Sequence, residues 1–372
     1  MFAIATSDRF ADHLTPPGHP ERAARAVVMQ AVAEHWMTCG VPVLTPRPAT
    51  REELLRIHAP EYIDRIAATA GRACRLDPDT FTSPDTAEVA ALAAGAAIVA
   101  VDAVLERRPG PDVDAALVLV RPPGHHAEAA RAMGFCIYNN VAIAVAHALA
   151  RGLARVAVVD YDVHHGNGTQ WAFYGDPRVL VASAHQFPFY PGTGSAAEAG
   201  SGGGEGFTVN VPLRAGATDG DYALVFDRLV LPVLDAFRPD LIVVSAGFDA
   251  HMRDPLAGMR MSVAGFDALA RRLREFASSA RCPVVFVTEG GYHLKVLGAC
   301  LDGLVRAFVS DDVARVSDES RPVPVSGGAS DAEPLRPDDA PLVEDLTSAP
   351  TDMGRSAIQL VRGVQKRYWP GL

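Results

Sequence analysis

Several things are scarce in this sequence, and each scarcity excludes a class of protein. There are five cysteines in 372 residues (Cys39, Cys74, Cys136, Cys282, Cys300), odd in number, scattered and without a CxxC pair. That argues against a disulfide framework and implies reduced, mostly buried thiols in a cytoplasmic protein, with Cys136 the one candidate for a reactive thiol. No run of about 18 apolar residues is free of charge, so no membrane-spanning helix is expected. The nearest, Asp85–Leu105, carries Asp85, Glu88 and Asp102. The opening FAIAT is followed by Ser7, Asp8 and Arg9, without the basic start and cleavage site of a secretory leader. Basic residues are in deficit, 34 against 44 acidic for a net charge of −10. A tight, nonspecific nucleic-acid partner is therefore not expected. No strand–loop–helix with GKS/T appears, so the Gly194–Gly206 stretch reads as an exposed loop rather than a phosphate cradle.

What is present is an ample apolar content, 49% of residues, with a regular alternation. β-branched runs at Ala115–Val120, Arg155–Asp160, Val179–Ala184, Thr208–Val211, Leu241–Ser245 and Pro283–Thr288 predict strands. Between them Thr86–Glu106, Asn139–Arg151, Asp219–Phe237 and Ser262–Ser278 predict helices. Continuous apolar strands separated by helices imply a mostly parallel sheet covered on both faces. No linker interrupts the pattern, which predicts one large domain over residues 1–315, a Pro/Asp/Ser-rich flexible segment over 316–345, and a C-terminal helix over 346–372 that packs back.

Chemistry-bearing residues gather after four of the strands. VAVVDYDVHHGNGTQ (Val156–Gln170) places Asp160, Asp162 and His164 on one side of an extended chain. LVLVRPPGHHA (Leu117–Ala127) ends in His125 and His126, imidazoles suited to acid–base work near neutrality. LIVVSAGFDAHMRDP (Leu241–Pro255) adds Asp249, and VVFVTEGGY (Val284–Tyr292) adds Glu289, two glycines and Tyr292. Strand ends are where an open α/β sheet presents ligands.

At these residues the chain resembles the histone deacetylase superfamily, with its bacterial histone deacetylase-like amidohydrolases and acetylpolyamine amidohydrolases. RPPGHHA, GFCIYNN (Gly134–Asn140), DYDVHHGNGTQ (Asp160–Gln170), SAGFDAHMRDPLAG (Ser245–Gly258) and EGGY carry the resemblance. It implies an α/β fold, the arginase/deacetylase-like three-layer α/β/α with a mostly parallel eight-stranded sheet. It also implies a zinc site at Asp162, His164 and Asp249, where Fe(II) or Co(II) would also suit the oxygen-rich donor set. His126 becomes the general base and acid, His125 its electrostatic partner, and Asp160 the acceptor for His125. Asn167, where many relatives have Asp, would orient His126 without a full charge. Tyr292 would stabilise the oxyanion. Asp160 and Ser183 would hold potassium. Gly134, Phe135, Tyr190 and Leu256 would line an acyl-lysine tunnel, with Thr82 near its rim and Arg22 near an internal channel for acetate.

The implied activity is removal of acetyl or other short acyl groups from acyl-lysine in a protein or peptide. An acetylpolyamine or other small N-acyl amine is the alternative substrate, and a non-catalytic acyl-lysine binding module the alternative class. An arginase-type ureohydrolase would need extra carboxylates where His125 and His126 stand. No nucleic-acid or membrane partner is implied, and the resemblance allows a homodimer or homotetramer. His165, His185, His251 and His293 are expected to be structural.

Overall fold

Ten short strands form in the protein, whose structure is a computed structural model describing residues 1–106, 112–319 and 349–372. They are β1 (Phe2–Ala5), β2 (Val43–Leu44), β3 (Cys74–Asp77), β4 (Thr80–Thr82), β5 (Ala115–Val118), β6 (Val156–Asp160), β7 (Val179–Gln186), β8 (Thr208–Leu213), β9 (Leu241–Ala246) and β10 (Val284–Thr288). Eight of them make one sheet in the order β2-β1-β5-β10-β9-β6-β7-β8, and every pairing in it is parallel. β3 and β4 form a separate antiparallel hairpin. The six strands expected from the sequence are all present. β2 and the hairpin were not foreseen, because β2 has two residues and Cys-Arg-Leu-Asp has no apolar run.

The central strands are buried along their whole length, so both sheet faces must be covered. Successive residues divide between two cores. Leu117, Val159, Val244 and Phe286 pack under the helices Ala24–Thr38, Val263–Ala280 and Leu294–Phe308. Val118, Val158, Val243 and Val287 pack under Thr86–Leu105 and Asn140–Ala150. This is the three-layer α/β/α arrangement. Thr86–Leu105 is long and apolar enough to cross a bilayer, contrary to the expectation that no segment qualifies. Its apolar residues are spent inside the fold, where Val89, Ala93, Ala97 and Val101 meet the sheet core. Asp219–Phe237, expected as one helix, is broken by a π-turn at Phe226–Val230, since Pro232 has no N–H for the Arg228 carbonyl.

The C-terminal helix Asp352–Gln365 covers the sheet edge at β8. Gln365 Nε2 donates to the Thr208 carbonyl at 2.7 Å, and Trp369 Nε1 to the Gly206 carbonyl at 2.9 Å, satisfying edge groups that would otherwise be open to another strand. The helix start is pinned by Asp221, whose buried carboxylate accepts from Thr351 N (2.7 Å), Gly354 N (3.1 Å) and the Thr351 hydroxyl. Asp221→Ala strands those donors, and we expect it to cost about 2–4 kcal/mol. Urea unfolding, with proteolysis of the chain around 350–372, checks this; an unchanged midpoint and cleavage pattern would refute it. The helix Asp311–Glu319 runs through the expected boundary at 315, and the remainder of the expected flexible segment, from 320, lies outside the described residues.

Candidate active site

The four motifs follow β5, β6, β9 and β10, and these strands are neighbours in the sheet in the order β5-β10-β9-β6. Their C-terminal ends therefore deliver His125, His126, Asp162, His164, Asp249 and Tyr292 to one place. Asp162, His164 and Asp249 each offer a ligand atom, and these atoms lie within 4.8 Å of one another. His164 Nδ1 sits 3.3 Å from Asp162 Oδ1 and 3.1 Å from Asp249 Oδ2. The backbone holds the carboxylates: Gly290 N–H donates to Asp162 Oδ2 (2.8 Å) and Val163 N–H to Asp249 Oδ1 (3.0 Å). Gly290 has to be glycine, since a Cβ there would stand 2.1 Å from Asp249 Oδ2.

Charge shows what the cluster wants. Burial opposes a proton on His164, but the two carboxylates outweigh it and raise the imidazole to about 10. Burial and the neighbouring Asp162 push the Asp249 carboxyl up. Two buried carboxylates thus hold a proton where a cation would neutralise them. A divalent cation with a neutral His164 fits that donor set, and three protein donors match a catalytic rather than a closed structural site. Among the described residues this is the one such group, and His125 and His126 stand beside it.

His125 and His126 pack ring to ring at 4.1 Å between centroids. His125 Nδ1 lies 3.0 Å from Asp160 Oδ2, and burial is outweighed by Asp162 and Asp160, which raise this imidazole to about 10. His126 is the opposite case. Burial and the positive His125 and His164 rings drive it well below the ordinary histidine value, so it is neutral. Its Nδ1 lies 2.8 Å from Asn167 Oδ1.

Tyr292 ends a turn that two glycines would leave loose, with Gly291 at φ +117°. Three side chains tie it. Asp162 takes Gly290 N–H as above. Arg25 donates to the Gly291 and Glu289 carbonyls and lies 5.1 Å over the Tyr292 ring. Asp254 Oδ2 accepts Tyr292 N–H at 2.7 Å. Burial and Asp249 hold the phenol well above its usual range, so it stays protonated and can donate. Arg25 and Asp254 were not singled out from the sequence. Glu21–Arg25 at i,i+4 was the available signal, and Asp254 stood inside the quoted SAGFDAHMRDPLAG. Arg22, expected near an internal channel, is exposed; Arg25, fully buried and bonded to Glu21, is the arginine behind the site.

The histidine pair and Tyr292 stand in the wall of a cavity of about 200 Å³ also lined by Gly134, Phe135, Tyr190 and Leu256. Phe135 has φ +67°, rare for a large side chain. Its backbone is held there because Phe135 N–H donates to Thr80 Oγ1 and Gly134 N–H to Asp79 Oδ1. Gly134 itself would put a Cβ 2.4 Å from the His126 ring. Phe189, stacked on His164 at 5.3 Å, and Asp79 also line the cavity and were not foreseen. Thr82, expected near the rim, instead serves the hairpin, its hydroxyl accepting Cys74 N–H.

Asp160 faces Ser183 across the β6/β7 ladder, where the Ser183 hydroxyl meets His185 Nδ1 at 2.9 Å. His165 is held by Thr193 and Gln170, and His293 caps the helix Leu294–Phe308. Cys136 lines the cavity, but burial pushes its thiol well above the usual value, which leaves it a poor nucleophile. Away from the site, His58 Nδ1 donates to the Glu128 carbonyl while Nε2 accepts Asn139 N–H (2.9 Å), and burial lowers it to about 4. Protonation is then favoured in the unfolded chain, so stability present above about pH 6.5 is lost as pH falls toward 4, by about 3 kcal/mol for this group. Urea unfolding between pH 7.5 and 4.5 should show His58→Gln with a shallower loss than wild type; equal slopes would contradict it.

The parallel α/β/α sheet thus presents, at its strand ends, a carboxylate–imidazole group that could hold a metal ion beside a histidine pair. Similarity to known proteins specifies the class further. The histone deacetylase domain matches residues 19–308. The chain is 37% identical over 327 residues to a probable deacetylase of Archaeoglobus fulgidus, covering 86% of this chain and 90% of that one. It is 44% identical over 270 residues to the histone deacetylase-like amidohydrolase of Pseudomonas aeruginosa, covering 71% and 70%. The crystal structure of the HDA15 HD domain superposes with a TM-score of 0.81 at 32% identity, over 99% of this chain and 96% of that one. The chain belongs to the histone deacetylase family.

Proposed function

We propose that this deacetylase-family protein removes acetyl or other short acyl groups from the ε-amine of lysine in proteins or peptides, with zinc at Asp162, His164 and Asp249. The single observation that carries the reading is the convergence of that donor triad, the neutral His126 and the protonated Tyr292 on one narrow, aromatic-walled cavity. Zinc there would supply Lewis-acid polarisation of the acyl carbonyl and of the attacking water, with Fe(II) or Co(II) as substitutes. His126 takes a proton from that water and returns it to the leaving amine. His125, paired with Asp160, adds positive charge beside the developing anion. Tyr292 donates its hydroxyl to the oxyanion, and Arg25 and Asp254 keep the tyrosine in place. Phe135 and Tyr190 flank the apolar stem of a lysine, which suits aromatic walls. Asp160 and Ser183 are proposed to hold potassium. Five free cysteines, four of them buried, favour a reducing cytoplasm. Assembly as a homodimer or homotetramer is part of the same reading.

Tyr292→Phe is expected to lower kcat by about 10²–10³-fold, as for loss of one oxyanion donor, with metal content unchanged. Turnover near wild type on an acetyl-lysine peptide would remove this role.

A second reading has its own support. Asp79 lines the cavity, and burial together with nearby Asp77 raises its carboxyl. Asp79, held ionised by the cation itself, would suit the second ammonium of an acetylpolyamine, whereas Leu256 offers no charge. Side-by-side kcat/KM values for acetyl-lysine peptides, acetylspermidine and acetylputrescine decide it. We expect the peptide to lead by at least about tenfold, or about 1.4 kcal/mol. A lead for the acetylpolyamines would reverse the assignment, and hydrolysis of neither would leave the binding-module reading.

A further inference from the structure

The proposed base needs its Nε2 unprotonated, so its one ring proton must sit on Nδ1. The partner of Nδ1 is the side-chain amide of Asn167, which can present either an acceptor oxygen or a donor NH₂. With the oxygen forward, Nδ1 carries the proton and Nε2 is a base. With the nitrogen forward, Nδ1 becomes the acceptor, the proton moves to Nε2, and the base is lost. A carboxylate at 167 would admit no such ambiguity, because it only accepts.

A second residue resolves the ambiguity. The other end of the Asn167 amide lies 2.8 Å from Glu128 Oε1. An ionised carboxylate accepts and never donates, so the amide atom facing it must be the nitrogen. That leaves Oδ1 facing His126. The remaining neighbours of Asn167 Nδ2, the His126 carbonyl and Met133 Sδ, both at 3.5 Å, are acceptors too, but long ones. Glu128 is partly exposed and immediately follows the RPPGHHA segment, with its own backbone held in a bridge to Arg131. It touches no reacting atom.

We infer that Glu128 is a positioning residue that selects the catalytic tautomer of His126 by locking the Asn167 amide. The anion that stands beside the histidine when residue 167 is an aspartate here stands one hydrogen bond farther out. This inference rests on the deacetylase reading of the site, in which His126 is the base.

The test is a set of variants in the zinc-loaded full-length protein, read by kcat on an acetyl-lysine peptide and by ¹⁵N NMR of the histidine rings. Glu128→Lys presents a donor to Asn167 and should reverse the amide. We expect kcat to fall at least about 100-fold, since a wrong histidine tautomer costs up to about 10⁴-fold in a serine protease triad. The His126 Nε2 signal should change from the unprotonated to the protonated type. Glu128→Ala should fall by roughly tenfold with a mixed signal, and Glu128→Gln, which still offers an oxygen, should stay within about threefold of wild type. In an Asn167→Asp background, where nothing can flip, Glu128→Ala should have no further effect on kcat. Equal losses in both backgrounds would show a merely structural role and overturn the inference, as would an unchanged His126 signal in Glu128→Lys. A wild-type protein that hydrolyses no acylated amine would defeat the functional reading instead, while the ring tautomer would still report on Glu128.

Discussion

His126→Ala is expected to lower kcat on an acetyl-lysine peptide by about 10²- to 10⁴-fold, the usual worth of a positioned general acid–base group. Melting temperature and metal content should hold. The expectation comes from contrasting environments for two adjacent histidines. His125 is drawn toward the charged form by Asp162 and Asp160, while His126 is driven toward the neutral form by burial and by the positive charge beside it. Only a neutral imidazole can accept a proton, so the roles follow from the surroundings and not from the order of the pair. His125→Ala should also cost activity, and the double variant should cost less than the product of the two, because the rings act as a unit. A His126→Ala enzyme within tenfold of wild type would remove the base from this residue.

The second large effect is loss of the metal. Activity should drop to the uncatalysed rate on chelation and return on adding Zn(II). Asp249→Ala should recover nothing, since one of two charge-compensating carboxylates is gone from a site that buries both. Stability gives a readout that does not depend on substrate. A ligand that binds only the native state at a thousand times its Kd adds about 4 kcal/mol. The wild-type melting temperature should therefore rise with Zn(II), and that of Asp249→Ala should not. Full activity in a metal-free wild-type preparation would refute the assignment.

Much of this protein can be read along the chain. The strands Val156–Asp160, Leu241–Ala246 and Val284–Thr288 announce themselves as continuous apolar runs, because a parallel strand buried on both faces has little room for polar residues. The residues that follow them are conspicuous because acids and histidines directly after such runs have few structural uses. Less can be read where a residue acts through a distant partner. Arg25 lies in a helix near the N-terminus and bonds a turn 266 residues away. Its buried charge also obscures the apolar face by which Ala24–Thr38 would have been foreseen. Arg22 is exposed while Arg25, three residues on, is buried behind the Tyr292 turn, and Thr82 bonds the hairpin while Asp79 lines the cavity, because packing and not local pattern decides which neighbour faces the site.

The sequence by itself determined the covered parallel sheet, most of its strands and the acids and histidines that directly follow four of them, since periodicity and composition are local properties of the chain. Only the tertiary structure decided that β10 and β9 insert between β5 and β6, so that strand ends far apart in sequence meet around one cavity. It also decided the left-handed Phe135 in the wall, the clamp of Arg25 and Asp254 on Tyr292, and the Glu128–Asn167 contact behind His126. These depend on which crossover lies beside which, a matter of long-range packing that no local pattern records.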